Sequence, residues 1–265
     1  MGTSQTRRKQ IVDLVNSMGS ISVVELSLYF RVSKVTIRSD LDALEKEEQL
    51  IRMHGSAMSI NYNKDQNTLR YAAELHFHEK QHHNRGIKEK LARRALKYIE
   101  DYDTILLDSG TTMFEIATQI ARKQWTRLTV ITSSLPVCDL LCNFKGIEVV
   151  LLGGHYRKKS RSFSGAATEQ MLLALRFNKL FMGADGYHPQ HGLTTLSENE
   201  ASLNRLMVEM ASQVYVVMDH SKFGRQSSNW ICEFGRPNVV ITDDRLKHEY
   251  INELQECQVK VDVAK

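Results

Sequence analysis

SVVELSLYFRVSKVTIRSDL, residues 22–41, decides how the first part of this chain is read. Its first four residues form a capping box: the hydroxyl of Ser22 and the carboxylate of Glu25 can satisfy each other's exposed backbone amides and so start a helix. Val24, Leu26, Leu28 and Phe30 are expected to supply the apolar stripe of that helix. Arg31-Val32 makes a tight turn, and Ser33 has the chemistry of an N-cap for a second helix that turns Ile37, Leu41 and Leu44 inward. The opening turns of this second helix carry Lys34, Thr36 and Arg38, residues suited to an anionic partner of defined shape.

Two helices joined by a tight turn, the second cationic at its start, have the geometry of a helix-turn-helix whose second helix enters the DNA major groove. Ser22, Ser33 and Thr36 are hydroxyl donors for phosphate, aided at a helix N-terminus by free amides. Arg38 can pair with guanine or anchor a phosphate, and both readings stay open. RRKQIVDLVNSM (7–18) precedes the pair as a helix with Ile11, Leu14, Val15 and Met18 at helical spacing and Gly19 as its stop. LIRMHGSAMSI (50–60) follows as a hairpin turning near His54-Gly55-Ser56, a wing whose Arg52 and His54 can touch the flanking backbone. Residues 1–60 hold eight basic and seven acidic side chains, with five of the acids between 40 and 48. That makes a polarised module and excludes a uniformly cationic one.

The whole chain of 265 residues carries a net charge of +4, too weak to announce nucleic-acid binding by itself. No apolar run approaches the ~18 residues of a membrane span, and TSQTRRKQ leads into no signal-peptide core. Cys138, Cys142, Cys232 and Cys257 have no C-x-x-C spacing, so no disulfide or zinc framework is expected and the cytoplasm is the natural compartment. Residues 61–83 lack a sustained apolar period and read as a linker. Its HFHEKQHH supplies His76, His78, His82 and His83; His78 and His82 have zinc-ligand spacing, but incidental histidines are the expectation, with no metal and no other cofactor.

From residue 84 the pattern changes to strand alternating with helix. TILLD (104–108), LTVIT (128–132), IEVVLLG (147–153), KLFMGA (179–184), VYVVMD (214–219) and NVVITD (238–243) are short, nearly continuous apolar runs, as in strands buried on both faces. Helical patterns separate most of them, which predicts a mostly parallel α/β sheet covered on both sides. The expected organisation is a winged helix-turn-helix over 1–60, a linker over 61–83 and an effector-binding and oligomerisation domain over 84–265.

DSGTT brings Asp108, Ser109, Gly110, Thr111 and Thr112 to a strand-to-helix junction, where amides, hydroxyls and a helix N-terminus can cradle an anion. Similar ends follow the other strands: Thr132-Ser133-Ser134, Gly153-Gly154, Gly183 with Asp185-Gly186, and DHSK ending in Lys222. In an open parallel sheet these carboxyl ends converge on one crevice. Hydroxyls, glycine turns, Asp185 and Lys222 gathered there suit a small, polyhydroxylated, phosphorylated ligand. The charge run Arg157, Lys158, Lys159 and Arg161 reads as a solvated loop, with phosphate contact as the alternative.

SVVELSLYFRVSKVTIRSDLDALEKEEQLIRMHGSAM (22–58) resembles the N-terminal signature of the DeoR family of bacterial repressors, and is closest in character to members governing galactitol or N-acetylgalactosamine use. The second domain resembles the sugar-phosphate fold shared by ribose-5-phosphate isomerases and DeoR effector domains. The resemblance implies that Ser109, Gly110, Thr111 and Thr112 hold phosphate with Ser133 and Ser134 nearby, and that Asp185, Glu198 and Lys222 contact the sugar. It implies a repressor of a carbohydrate-utilisation operon, released from double-stranded operator DNA by a phosphorylated sugar and working as a homodimer or homotetramer, with no membrane partner. The sequence departs from the family at Glu48 and Ser56, where glycine is usual. It departs again at Ser133 for an Asn, at Ser197 before Glu198 for an Asn, and at His220 for a Ser. An isomerase or deaminase using Glu198, Asp185 and Lys222 in acid–base work is the alternative, but such an enzyme has no evident use for the N-terminal module. An activator would share every residue named.

Overall fold

A computed structural model describes residues 3–18, 20–47, 49–53, 56–58, 77–82 and 84–265. The chain divides into two compact units, Met1–Tyr71 and Ala72–Lys265. In the first, α1 (Thr3–Met18) is followed by β1 (Ser20–Ser22), α2 (Val23–Phe30), α3 (Lys34–Lys46), β2 (Ile51–Met53) and β3 (Ser56–Met58). The capping box is closed: the Glu25 amide donates to Ser22 Oγ at 3.1 Å, and the Ser22 amide donates to the Glu25 carboxylate at 2.9 Å. Arg31 makes the turn at φ 52°, ψ 42°, in the left-handed region without being glycine. The Val32 amide donates to the Ser27 carbonyl (3.2 Å) while Ser27 Oγ donates back to the Val32 carbonyl (2.6 Å), and this exchange holds the turn closed. Ser33 Oγ then caps α3 by accepting from the Thr36 amide at 3.1 Å.

Ile11, Val15, Leu26, Ile37, Leu41 and Leu44 form the buried core of this unit, joined by Ile21, Leu50 and Ala57 from the strands. The expected stripe of α2 is corrected. Val24 and Leu28 face outward, 46% and 74% exposed, and Val23 and Leu26 are the buried pair. The helix begins at Val23, so its 3.6-residue period sweeps 23, 26 and 30 to one side. Strand β1, absent from the sequence reading, pairs antiparallel with β3 and makes the wing three-stranded in the order β1-β3-β2.

The second unit opens with α4 (Phe77–His82), inside the stretch read as linker; Phe77 is buried edge-on against Phe114, ring centroids 5.7 Å apart. There follow α5 (Arg85–Ala95), β4 (Thr104–Leu107), α6 (Thr111–Ala121), β5 (Leu128–Thr132), α7 (Leu135–Leu141) and β6 (Ile147–Leu151). Next come β7 (His155–Arg157), β8 (Ser162–Ser164), α8 (Ala166–Leu173), β9 (Lys179–Met182), β10 (Gly186–His188), β11 (Gly192–Thr195) and α9 (Glu198–Met210). The chain ends through β12 (Gln213–Val217), β13 (Asn229–Cys232), β14 (Val239–Asp243), α10 (His248–Glu256) and β15 (Lys260–Ala264).

Seven of these strands form one parallel sheet in the order β15-β14-β12-β9-β4-β5-β6. Because side chains alternate across a strand, Ile105 and Leu107 enter the core shared with Leu91, Met113 and Val137 of α5, α6 and α7, while Leu106 enters the opposite core with Leu172, Met207 and Leu254 of α8, α9 and α10. The chain runs outward from β4 through β5 to β6, then crosses to β9 on the other flank of β4 and continues to β15. The winding direction therefore reverses between β4 and β9.

Candidate functional site

On α3 the side chains of Ser33, Lys34, Val35, Arg38 and Ser39 are exposed. The hydroxyls of Ser33 and Thr36 lie 2.8 Å apart. Val35, 72% exposed between Lys34 and Thr36, was missed in the sequence; it offers an apolar surface of the kind that meets a thymine methyl. Asp40 turns the other way. Its buried carboxylate accepts from Arg7 Nε at 2.6 Å and Arg8 Nε at 3.0 Å, so these two cations brace α1 against α3. Ser22 is the half-buried cap of α2, and Arg52 lies in β2 opposite Ala57. His54 and Glu48 fall outside the described residues, as do His76 and His83. Ser56 is buried in extended backbone paired with Met53, a position that does not need glycine.

In the second unit, parallel strands bring Asp108, Ser133, Gly153, Gly183 and Asp219 to one edge of the sheet. The winding reverses between β4 and β9, and an open α/β sheet usually takes its ligand outside the strand ends at such a point. Asp108 is buried, and its carboxylate accepts from the Ser109 amide at 2.6 Å and from the Gly183 amide, tying the ends of β4 and β9 together. Burial above all, then the negative charge of Glu200, pushes its pKa up to about 7. Gly110 is the N-cap of α6 and no side chain caps that end, so the first amides of α6 remain available. A Cβ at Gly110 would meet nothing nearer than 3.9 Å within the protein, so packing does not demand glycine there. Its bareness keeps the approach to the amides of Thr111 and Thr112 open.

Beside this cradle, the Ser134 amide donates to Thr132 Oγ1 at 3.0 Å, and the Phe163 amide to the Ser133 carbonyl at 2.9 Å. Ser134 Oγ and Ser164 Oγ are buried and have no hydrogen-bond partner among the described residues. Gly153 supplies a carbonyl to Thr168 Oγ1 at 2.7 Å. At Gly154, φ is +143° and a Cβ would lie 2.1 Å from Thr168 Oγ1, so this turn admits only glycine.

Across the crevice, Asp185 accepts from Thr195 Oγ1 at 3.0 Å and the Leu196 amide at 3.3 Å, and Gly186 begins β10. Glu198 is not brought in with them: it is 66% exposed and bonded to Arg205 at 2.9 Å. The carboxylate facing Asp108 is Glu200, two residues on and so on the opposite side of α9, half-buried and paired with Arg157 at 3.1 Å. Both residues were missed, Glu200 because the phase of α9 decides it. Arg157 was missed because the basic run read as a loop is the β7–β8 hairpin.

At the end of β12 stand Asp219, His220 and half-buried Lys222. Burial would raise the Asp219 carboxyl, but Ser221, Lys222 and His220 together hold it below the usual range. His220 Nδ1 lies 2.9 Å from buried Asp243, which fixes the imidazole where a hydroxyl was expected from the family pattern. Lys88 of α5 also reaches this corner, buried in the electrostatic field of Asp219 and Lys222. A sequence signal existed: Lys88 occupies the inward stripe otherwise formed by Leu91, Ala92 and Ala95. Among the described residues no group of three His, Cys, Asp or Glu could hold a metal, and no helix is long and apolar enough to cross a membrane.

Residues 7–63 match the DeoR-like helix-turn-helix domain and residues 83–244 the DeoR C terminal sensor domain. The chain belongs to the DeoR family. Among its relatives, a protein of Escherichia coli O157:H7 named for repression of the aga operon is 36% identical over 98% of this chain and 93% of its own. The lactose phosphotransferase system repressor of Lactococcus lactis is 30% identical over 94% of this chain and 95% of its own. These relatives are transcriptional regulators, and this DeoR-family chain is a regulator rather than an enzyme. Among solved structures, ribose 5-phosphate isomerase A of Methanocaldococcus jannaschii overlaps with a TM-score of 0.39 at 18% identity, over 53% of this chain and 55% of that one.

Proposed function

We propose that this DeoR-family regulator represses a carbohydrate-utilisation operon and leaves its operator when a phosphorylated sugar enters the crevice between β4 and β9. One observation carries the reading. The same chain joins a capped, outward-facing helix bearing Lys34, Thr36 and Arg38 to a sheet-edge crevice with an uncapped helix N-terminus and unpartnered buried hydroxyls. In this reading residues 1–60 read DNA, 61–83 connect, and 84–265 sense the effector and build the oligomer. Ser33, Lys34, Thr36 and Arg38 meet the groove, with Ser22, Arg52 and His54 on the flanking backbone.

In the crevice Ser109, Gly110, Thr111 and Thr112 hold the phosphate, with Thr132, Ser133, Ser134, Gly153 and Gly154 shaping its wall. Asp185, Gly186 and Lys222 contact the sugar beside Asp108 and Gly183, and Glu198 stays at the rim. Relatives named for the aga operon and the lactose phosphotransferase system support a carbohydrate regulon. His220 and Ser133 alter the hydroxyl pattern, so the ligand is related to galactitol or galactosamine phosphates and distinct in its hydroxyls. Release requires the effector to favour the state that does not bind DNA; a tenfold loss of operator affinity takes about 1.4 kcal/mol of coupling. The test titrates hexose, hexosamine and hexitol phosphates against the cytoplasmic regulator on operator DNA. One of them should raise the melting temperature and clear the gel-shifted band; a full panel that does neither rejects the reading.

A further inference from the structure

Lys88 is 7% exposed, and among the described residues it is the buried lysine. A leucine or methionine would serve the α5 face better, because removing an ammonium from water is costly unless something anionic compensates. The protein compensates only in part. Lys88 Nζ donates to the Lys80 carbonyl, in the last turn of α4, where backbone carbonyls have no partner within the helix. Asp219 attracts it, but that carboxylate already accepts from the Ser221 amide at 2.9 Å. Lys222 stands near enough to repel it, and Glu115 adds a weaker attraction. Burial first, opposed by Asp219, draws the ammonium down to about 8. Two lysines from different elements therefore converge on the crevice edge around one committed carboxylate. Such a corner is stabilised by an added anion.

We propose that Lys88 is an anion ligand of the crevice, and that binding draws its ammonium from the Lys80 carbonyl and so uncaps α4. The inference rests on the sugar-phosphate reading and deepens it. Lys88 adds a contact to the crevice from α5 and makes α4 the element that registers occupancy. In chain order α4 is the first described element of the sensor unit after the wing.

The test uses the full chain, wild type and Lys88→Met, with galactosamine 6-phosphate, galactitol 1-phosphate and inorganic phosphate as probes in calorimetry. Amide exchange over residues 77–82 is read in parallel. Losing a charge-assisted contact should weaken the probe that wild type binds by about tenfold or more. Because the variant lacks the bond to the Lys80 carbonyl, its exchange over 77–82 without probe should already match that of probe-saturated wild type. Saturating probe should speed exchange over 77–82 in wild type and leave it unaltered in the variant. Wild-type affinity in the variant, or exchange over 77–82 that ignores the probe in wild type, overturns the proposal while leaving the sugar-phosphate reading standing. If wild type binds none of the three, the Lys88 proposal falls, and the sugar-phosphate reading falls only if the full panel of sugar phosphates also fails. Should Lys88→Met fail to fold, the wild-type exchange measurement decides alone.

Discussion

Lys34 and Arg38 sit on the exposed side of α3, one turn apart, and their replacement separates reading from anchoring. If Arg38 pairs with a guanine, Arg38→Ala should cost about 1–3 kcal/mol and relax preference at a single operator position. Lys34→Ala, acting on phosphate, should weaken all sequences alike and lower the salt slope by about one. Gel shifts across salt and across single-base operator variants measure both, and unchanged retention for the two variants would remove α3 from the groove. In the crevice, Asp108 makes a pH signature. Its pKa lies at about 7 in the folded chain against the ordinary 3.8, so the native state keeps a proton that the unfolded chain releases. Stability should therefore fall as pH rises between those values and level off above the upper one. Asp108→Asn should flatten that slope in denaturant titrations at about pH 5 and about pH 8; an equal slope in both proteins would show that another group carries it.

Elements owe their positions to a few ties between them. Asp40 fastens α3 to α1 through Arg7 and Arg8, and Asp40→Asn should destabilise the first unit by about 2–3 kcal/mol, seen as faster amide exchange in α1 and α3. Gly154→Ala should damage the β6–β7 turn, since its φ of +143° and the approach of Thr168 leave no room for a methyl group. Thermal melting should drop while α3 still binds DNA. The six long apolar runs were legible as strands because a strand buried on both faces is apolar throughout. The strands β1, β7, β8, β10, β11, β13 and β15 were not, because pieces that are short or interrupted by polar residues form no continuous apolar run. The stripe of α2 was misread for a related reason. An eight-residue helix rich in apolar residues offers several stripes, and only its starting residue selects one.

At the scale of the molecule, the parallel sheet collects the ends of strands far apart in sequence, and its winding reverses between β4 and β9, where the proposed effector site lies. A regulator of this build should bind as a symmetric pair or as a pair of pairs, with operator half-sites repeating about every helical turn. Sedimentation of the free protein and of its operator complex measures this, and a monomer holding a single half-site tightly would contradict it. The helix-turn-helix, the alternation of strands with helices, and the Ser/Gly/Thr strand-to-helix junction at residues 109–112 were determined by the sequence alone, because caps, turns and buried runs are local chemistry. Tertiary structure alone decided that Glu200 rather than Glu198 faces Asp108, that Asp40 disarms Arg7 and Arg8, and that Lys88 reaches the same corner as Lys222. Those facts depend on helix phase and on which strands become neighbours, and neither is written in the spacing of any one segment.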